Sequence, residues 1–191
     1  MPKVSIQDKM MSSTGTLYRA SMLPSNDIGN VSAETQWPDG RGKLLILPLA
    51  SNNSLANKSF RIRTYGRCAT TTNTTFAINF YFGLSPVLAN NTLIFLSGAQ
   101  VVNALSSNFL IWVDLTWDST SQVINGTGQG QIANNIVGPS TLQNTVTADP
   151  NRDSNTFLQS GATYGFTLTG QFGGASAGNH AFMDDFSLEL I

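Results

Sequence analysis

Residues 60–68 read FRIRTYGRC, and the fold turns on how they alternate. In an extended strand successive side chains point to opposite faces. Phe60, Ile62, Thr64, Gly66 and Cys68 therefore share one face, and Arg61, Arg63, Tyr65 and Arg67 share the other. The same period of two recurs at 76–82, where Phe76, Ile78, Phe80 and Phe82 line up. It recurs at 109–117, where Phe109, Ile111, Val113, Leu115 and Trp117 alternate with Trp112, Asp114 and Thr116. Residues 164–172 continue it, as does the final AFMDDFSLELI, whose Phe182, Phe186, Leu188 and Leu190 are expected to face inward. Weaker runs cover 43–47, 92–97, 122–132 and 142–147. No stretch holds a helical period.

Strands of this kind, each with one buried face, predict an all-β chain: an antiparallel β-sandwich, specifically a jelly roll of about eight strands. The loop TTTNTT, 70–75, reads as a hairpin connection, and the glycine-rich NGTGQGQ, 125–131, as a bulged turn between strands. Residues 1–40 have no sustained period and scattered Pro and Gly, which predicts either an extended N-terminal arm or lead-in ahead of a sandwich domain at 41–191, or a first β-strand and meandering loop packed on that same sandwich. Its apolar residues Leu17, Tyr18, Met22, Leu23 and Trp37 are the expected contacts to a neighbouring surface.

A chain of 191 residues suits one core. Charged residues are only 11%, and 20 Ser, 20 Thr and 18 Asn take their place. Short neutral polar side chains lose little rotamer entropy on ordering, so such a surface suits strands and wide neutral contacts. The net charge of −1 gives no field that would gather nucleic acid or an anionic membrane, so neither is an expected partner. The apolar runs are too short to cross a bilayer, and the N-terminus shows no apolar signal segment. Cys68, the one cysteine, cannot form an intrachain disulfide and sits on the inward parity of its strand.

Catalytic chemistry finds little to work with. His180 is the one histidine, and although Ser176 and Asp184 are near it in sequence, no nucleophile turn is present. One His and one Cys cannot build a zinc site. Asp114 and Asp118 share an outward parity, which reads as charge on a solvated face and not as a buried acid–base pair. The chain reads as a non-enzyme without a cofactor.

Two stretches carry resemblances. FMDDFSLELI, 182–191, resembles the last strand of jelly-roll carbohydrate-binding modules, and that resemblance implies a structural calcium on Asp184 or Asp185. The wider pattern, from LANKSFRIRTYGRCATT through FYFGLS and FLIWVDLTWDSTSQVINGTGQGQI to the C-terminus, resembles the jelly-roll structural proteins of tailed bacteriophages, either head-decoration or tail-associated subunits. It implies a virion location and a capsid-decoration (cement) role, with the major capsid protein and further copies of the chain, as a homotrimer, for partners. The alternative is a carbohydrate-binding module or receptor-binding tail subunit, for which Trp112 and Tyr81, with Tyr65, would form the sugar platform. The arginine face, Arg61, Arg63, Tyr65 and Arg67, then has two compatible uses. It can pair across strands with Asp114, Asp118, Asp185 and Glu189, or meet another subunit.

Overall fold

A computed structural model describes residues 15–21, 27–29, 32–37, 43–46, 59–71, 73–83, 91–103, 106–118, 123–145 and 164–191. Every run of period two becomes a strand. In chain order the strands are β1 (Gly15–Ser21), β2 (Ile28–Gly29), β3 (Thr35–Gln36), β4 (Lys43–Ile46), β5 (Ser59–Ala69), β6 (Thr74–Gly83), β7 (Thr92–Leu96), β8 (Gln100–Val102), β9 (Ser107–Asp118), β10 (Val123–Ile132), β11 (Asn135–Thr145), β12 (Tyr164–Phe172) and β13 (His180–Leu190). They form two antiparallel sheets. The larger runs β1-β13-β5-β9-β10-β11 with β2 also on β13; the smaller runs β3-β12-β6-β7 with β4 also on β12 and β8 on β6. The fold is an antiparallel β-sandwich of the jelly-roll class, as the alternation predicts, but with thirteen strands among the described residues in place of about eight, the additions being β1 and the short β2, β3 and β8.

The inner faces meet in an aromatic core. Phe76, Ile78, Phe80 and Phe82 of β6 and Ile111, Val113 and Leu115 of β9 are buried, as are Phe60, Ile62, Thr64 and Cys68 of β5. Phe76 packs at 4.7 Å on Phe172, Phe82 at 5.0 Å on Phe166, and Phe80 meets Phe95 edge-on at 5.6 Å. Each such ring removed from water contributes about 1.5–3 kcal/mol. Phe109 of the larger sheet reaches Phe76 of the smaller at 6.0 Å, so the rings also tie the layers together.

Four expectations change. The 70–75 loop does not close a hairpin, because β5 belongs to the larger sheet and β6 to the smaller; it carries the chain from one sheet to the other. The glycines of 125–131 lie within β10, where Gly126, Gly128 and Gly130 face the core. A Cβ on Gly128 would stand 2.0 Å from the Phe95 ring, so the missing side chain is what lets the second sheet approach. A register shift between Gly128 and Gly130 does supply the bulge, but inside a ladder.

Phe182 faces outward. A register shift between Met183 and Asp185 inserts one extra residue in β13. Ala181 and Met183 point in before the shift, Phe186 and Leu188 after it, and both Asp184 and Asp185 are left on the outer side. Even spacing between Phe182 and Phe186 hid that change of parity.

The described parts of residues 1–40 belong to the sandwich. β1 pairs along β13 from Gly15 to Ser21, and β2 and β3 pair with β13 and β12. Ile28 and Trp37 are each 1% exposed, and Trp37 lies 6.3 Å from Phe109. Trp37 is therefore a core residue and not a surface contact. Leu17 and Tyr18 lie in β1, at a register irregularity, while Met22 and Leu23 fall outside the described residues.

Candidate binding face

The outer face of the larger sheet is built by β13, β5, β9 and β10, whose registers set side chains in cross-strand rows. One row runs Glu189, Arg61, Asp114, Thr127. The next runs Ser187, Arg63, Trp112, Gln129, and the third Asp185, Tyr65, Leu110, Gln131 and, on β11, Ile136. A fourth holds Phe182, Arg67 and Asn108.

The arginines in the first and last of these rows are committed. Arg61 donates from Nε and an Nη to the two oxygens of Asp114 at 2.7 and 2.8 Å. Arg67 grips Asp184 in the same two-pronged way, both bonds at 2.9 Å, and its guanidinium stands 5.6 Å over the Phe182 ring. In both, the hydrogen bond to the carboxylate is the main cause holding the guanidinium above its usual pKa. The side chains are 40% and 43% exposed, so each pair is worth only about 0.2–1 kcal/mol. Their effect is to fix direction. Between them Arg63 and Tyr65 stand exposed, Tyr65 at 38%, beside a half-buried Trp112.

The pairing of Arg61 with Asp114 was legible from parity. The engagement of Asp184 was not, because it depends on the bulge. With both its oxygens on Arg67, Asp184 already has a cation, which argues against calcium there. Asp185 lies outward on the same bulge. No group of three or more His, Cys, Asp and Glu among the described residues could hold a metal.

Tyr81 is on the other sheet, and its hydroxyl donates to Glu34. The same Glu34 carboxylate accepts from Asn79 Nδ2 at 2.7 Å and Thr169 Oγ1 at 2.5 Å. Burial, with Glu34 second, pushes the Tyr81 phenol up to about 12. Tyr81 is thus an anchor for residues 32–37 and not part of a platform with Trp112. Glu34 went unmarked in sequence, since it lies in an aperiodic segment.

The same holds for the partner of His180. Its Nδ1 contacts the Asp27 carboxylate, which also accepts from the Ala181 amide at 2.9 Å. The imidazole stacks on Phe182 with an interplanar angle of 11°. Cys68, 1% exposed, has its thiol pushed up to about 12 by burial, which makes it a packing residue.

No family model matches the chain, and no curated protein matches it. Among solved structures, it is similar to a Lotus tetragonolobus seed lectin at TM-score 0.34 and 10% identity, over 94% of each chain. It is similar to SCLam, a non-specific endo-beta-1,3(4)-glucanase of family GH16, at 0.37 and 9%, over 93% of this chain and 91% of that one. The carbohydrate esterase vb_24B_21 of the Shiga toxin-encoding bacteriophage phi24B gives 0.31 and 13%, over 97% and 92%.

Proposed function

We propose that the protein works by binding and not by turnover, as a head-decoration subunit of a tailed-phage particle that assembles as a trimer on the major capsid protein. The observation that carries this reading is the exposed Arg63–Tyr65 pair on a rigid sheet face, bracketed by two arginines already locked to carboxylates. Arg and Tyr are favoured at contact surfaces, because a planar fork and a stiff ring lose little entropy on docking. The charges that flank the pair are already matched, Arg61 with Asp114 and Arg67 with Asp184, so those side chains are ordered before any partner docks. Three such footprints on one trimer would bind the shell by avidity even where each is weak. The wider sequence resemblance to phage structural proteins supports the same reading. Against catalysis, the outward Asp114 and Asp184 are each neutralised by an arginine.

The test is cosedimentation of purified protein with undecorated heads, alongside light scattering for native mass. Arg63→Glu with Tyr65→Ala is expected to lower shell affinity by about tenfold or more, at unchanged thermal stability. Full occupancy of shells by the double variant would sink the assignment.

A second reading, glycan binding by the same face, is favoured by one specific placement. Trp112 stands opposite Arg63 and so diagonal to Tyr65, the spacing at which two aromatic side chains reach one another across strands. Sugar rings stack on such flat apolar surfaces.

A further inference from the structure

The third row of the outer face ends in a cleft. Where β10 turns into β11 through Ala133 and Asn134, a cleft of about 470 Å³ opens, lined among others by Asn103, Asn108, Leu110, Gln131, Ala133 and Asn134. That is within the size range of small-ligand sites, roughly 300–1,000 Å³. Among the described residues no acid, base or histidine lines it. A charged ligand would lose hydration there without meeting a counter-charge, so the lining selects for an uncharged one.

The side-chain amides of Asn103, Asn108 and Asn134 enter no hydrogen bond with the described residues. Each offers donors and an acceptor at once, which matches hydroxyl groups that are also both. Two buried asparagines, by contrast, are used internally: Asn79 donates to Glu34 and Asn179 to the Gly174 carbonyl. The cleft wall is also held stiff. Ala133 adopts φ of 55°, a left-handed conformation that a residue with a Cβ seldom takes. Two hydrogen bonds hold it so, its amide to the Asn108 carbonyl at 2.9 Å and its carbonyl from Gln131 Nε2 at 2.8 Å. Leu110 and Gln131 belong both to this cleft and to the row that contains Tyr65, so cleft and aromatic surface are continuous.

We infer that this cleft is a subsite for a neutral sugar residue, the end of a glycan whose next units lie over Tyr65 and Trp112. The inference rests on the glycan-binding reading and is independent of shell binding.

The test is calorimetric titration of the full chain with uncharged hexasaccharides (β-1,3-, β-1,4- and α-1,4-linked glucose, and β-1,4-linked N-acetylglucosamine), with hexagalacturonate as the anionic probe. At least one neutral probe is expected to bind and hexagalacturonate not to. Asn108→Ala and Asn134→Ala are each expected to weaken binding by about tenfold, the effect of one lost hydrogen bond in a site. Both positions are exposed, so folding is expected to survive, and a thermal melt checks it. Binding that falls with Trp112→Ala but not with either asparagine variant overturns the cleft and leaves the aromatic surface. Preference for hexagalacturonate also overturns it. No binding of any neutral probe overturns cleft and glycan reading together.

Discussion

Gly66 and Gly128 show how far single residues set the spacing of this sandwich. A Cβ on Gly66 would lie 2.1 Å from the Phe182 carbonyl and 2.4 Å from the Phe109 ring; one on Gly128 would overlap the Phe95 ring. Neither neighbour can give way cheaply, since one is backbone and the rings are core. Gly128→Ala is expected to destabilise by about 3 kcal/mol, the upper end for overpacking. Adding Phe95→Leu should recover part of that loss, because the smaller side chain vacates the space the methyl needs. Denaturant unfolding of the two single variants and the double variant measures the coupling, and strict additivity would refute the contact. Burial sets a second residue-scale effect. Cys68 and Tyr81 both release their protons near 12 in the folded chain, against ordinary values of 9.0 and 10.0. Between those values the unfolded state holds fewer protons, so stability is complete below about pH 9 and falls as pH rises towards 12. A Cys68→Ala, Tyr81→Phe double variant is expected to show a shallower alkaline decline in unfolding free energy. An unchanged slope would refute that origin.

At the scale of elements, alternation made most strands readable because one face of each is buried and a slip of one residue would expose the whole inward set. What alternation does not encode is which sheet a strand joins. The β5–β6 loop looked like a hairpin because its length and Thr/Asn content are the same for either destination. Nor does it encode a bulge, which is why Phe182 was misplaced and the pairing of Asp184 with Arg67 was not foreseen, while that of Asp114 with Arg61 was. The bulge in β13 makes a sharp expectation. Deleting Asp184 removes one residue between Met183 and Asp185, so Ala181, Met183, Phe186 and Leu188 all keep their inward parity. The cost should be limited to the Arg67 pair, about 0.2–1 kcal/mol, and the lost twist. Deleting Ser187 instead turns Leu188 outward against its pairing with Ile62 and should abolish cooperative melting. Circular dichroism melts of the two deletions decide it: equal behaviour would mean that the register shift does not carry the parity change.

For the whole molecule, the question is whether residues 1–40 can be removed. Low periodicity there suggested an arm. Its described pieces close the sandwich, and they hide their period for two reasons: β2 and β3 are only two residues each, and β1 is broken by a register irregularity between Thr16 and Tyr18. Trp37 fills core space beside Phe109, Ile28 is buried, Glu34 gathers hydrogen bonds from β6 and β12, and β1 covers the edge of β13. Truncating Trp37 to Ala alone should cost about 3–5 kcal/mol. That is a large part of the roughly 5–15 kcal/mol that holds a domain of ordinary stability together. A fragment of residues 41–191 would lose Trp37, Ile28 and the Glu34 anchor at once, leaving β13 without its neighbour on one side. It is expected to be insoluble, or to melt without a cooperative transition, while Trp37→Phe in the full chain keeps a cooperative melt at a lower temperature. A 41–191 fragment that melts cooperatively near the full-length temperature would restore the arm. The consequence for function is direct: loss of shell binding on deleting the segment would report unfolding, so substitutions on the outer face, at Arg63, Tyr65 and Trp112, are the ones that can locate the contact.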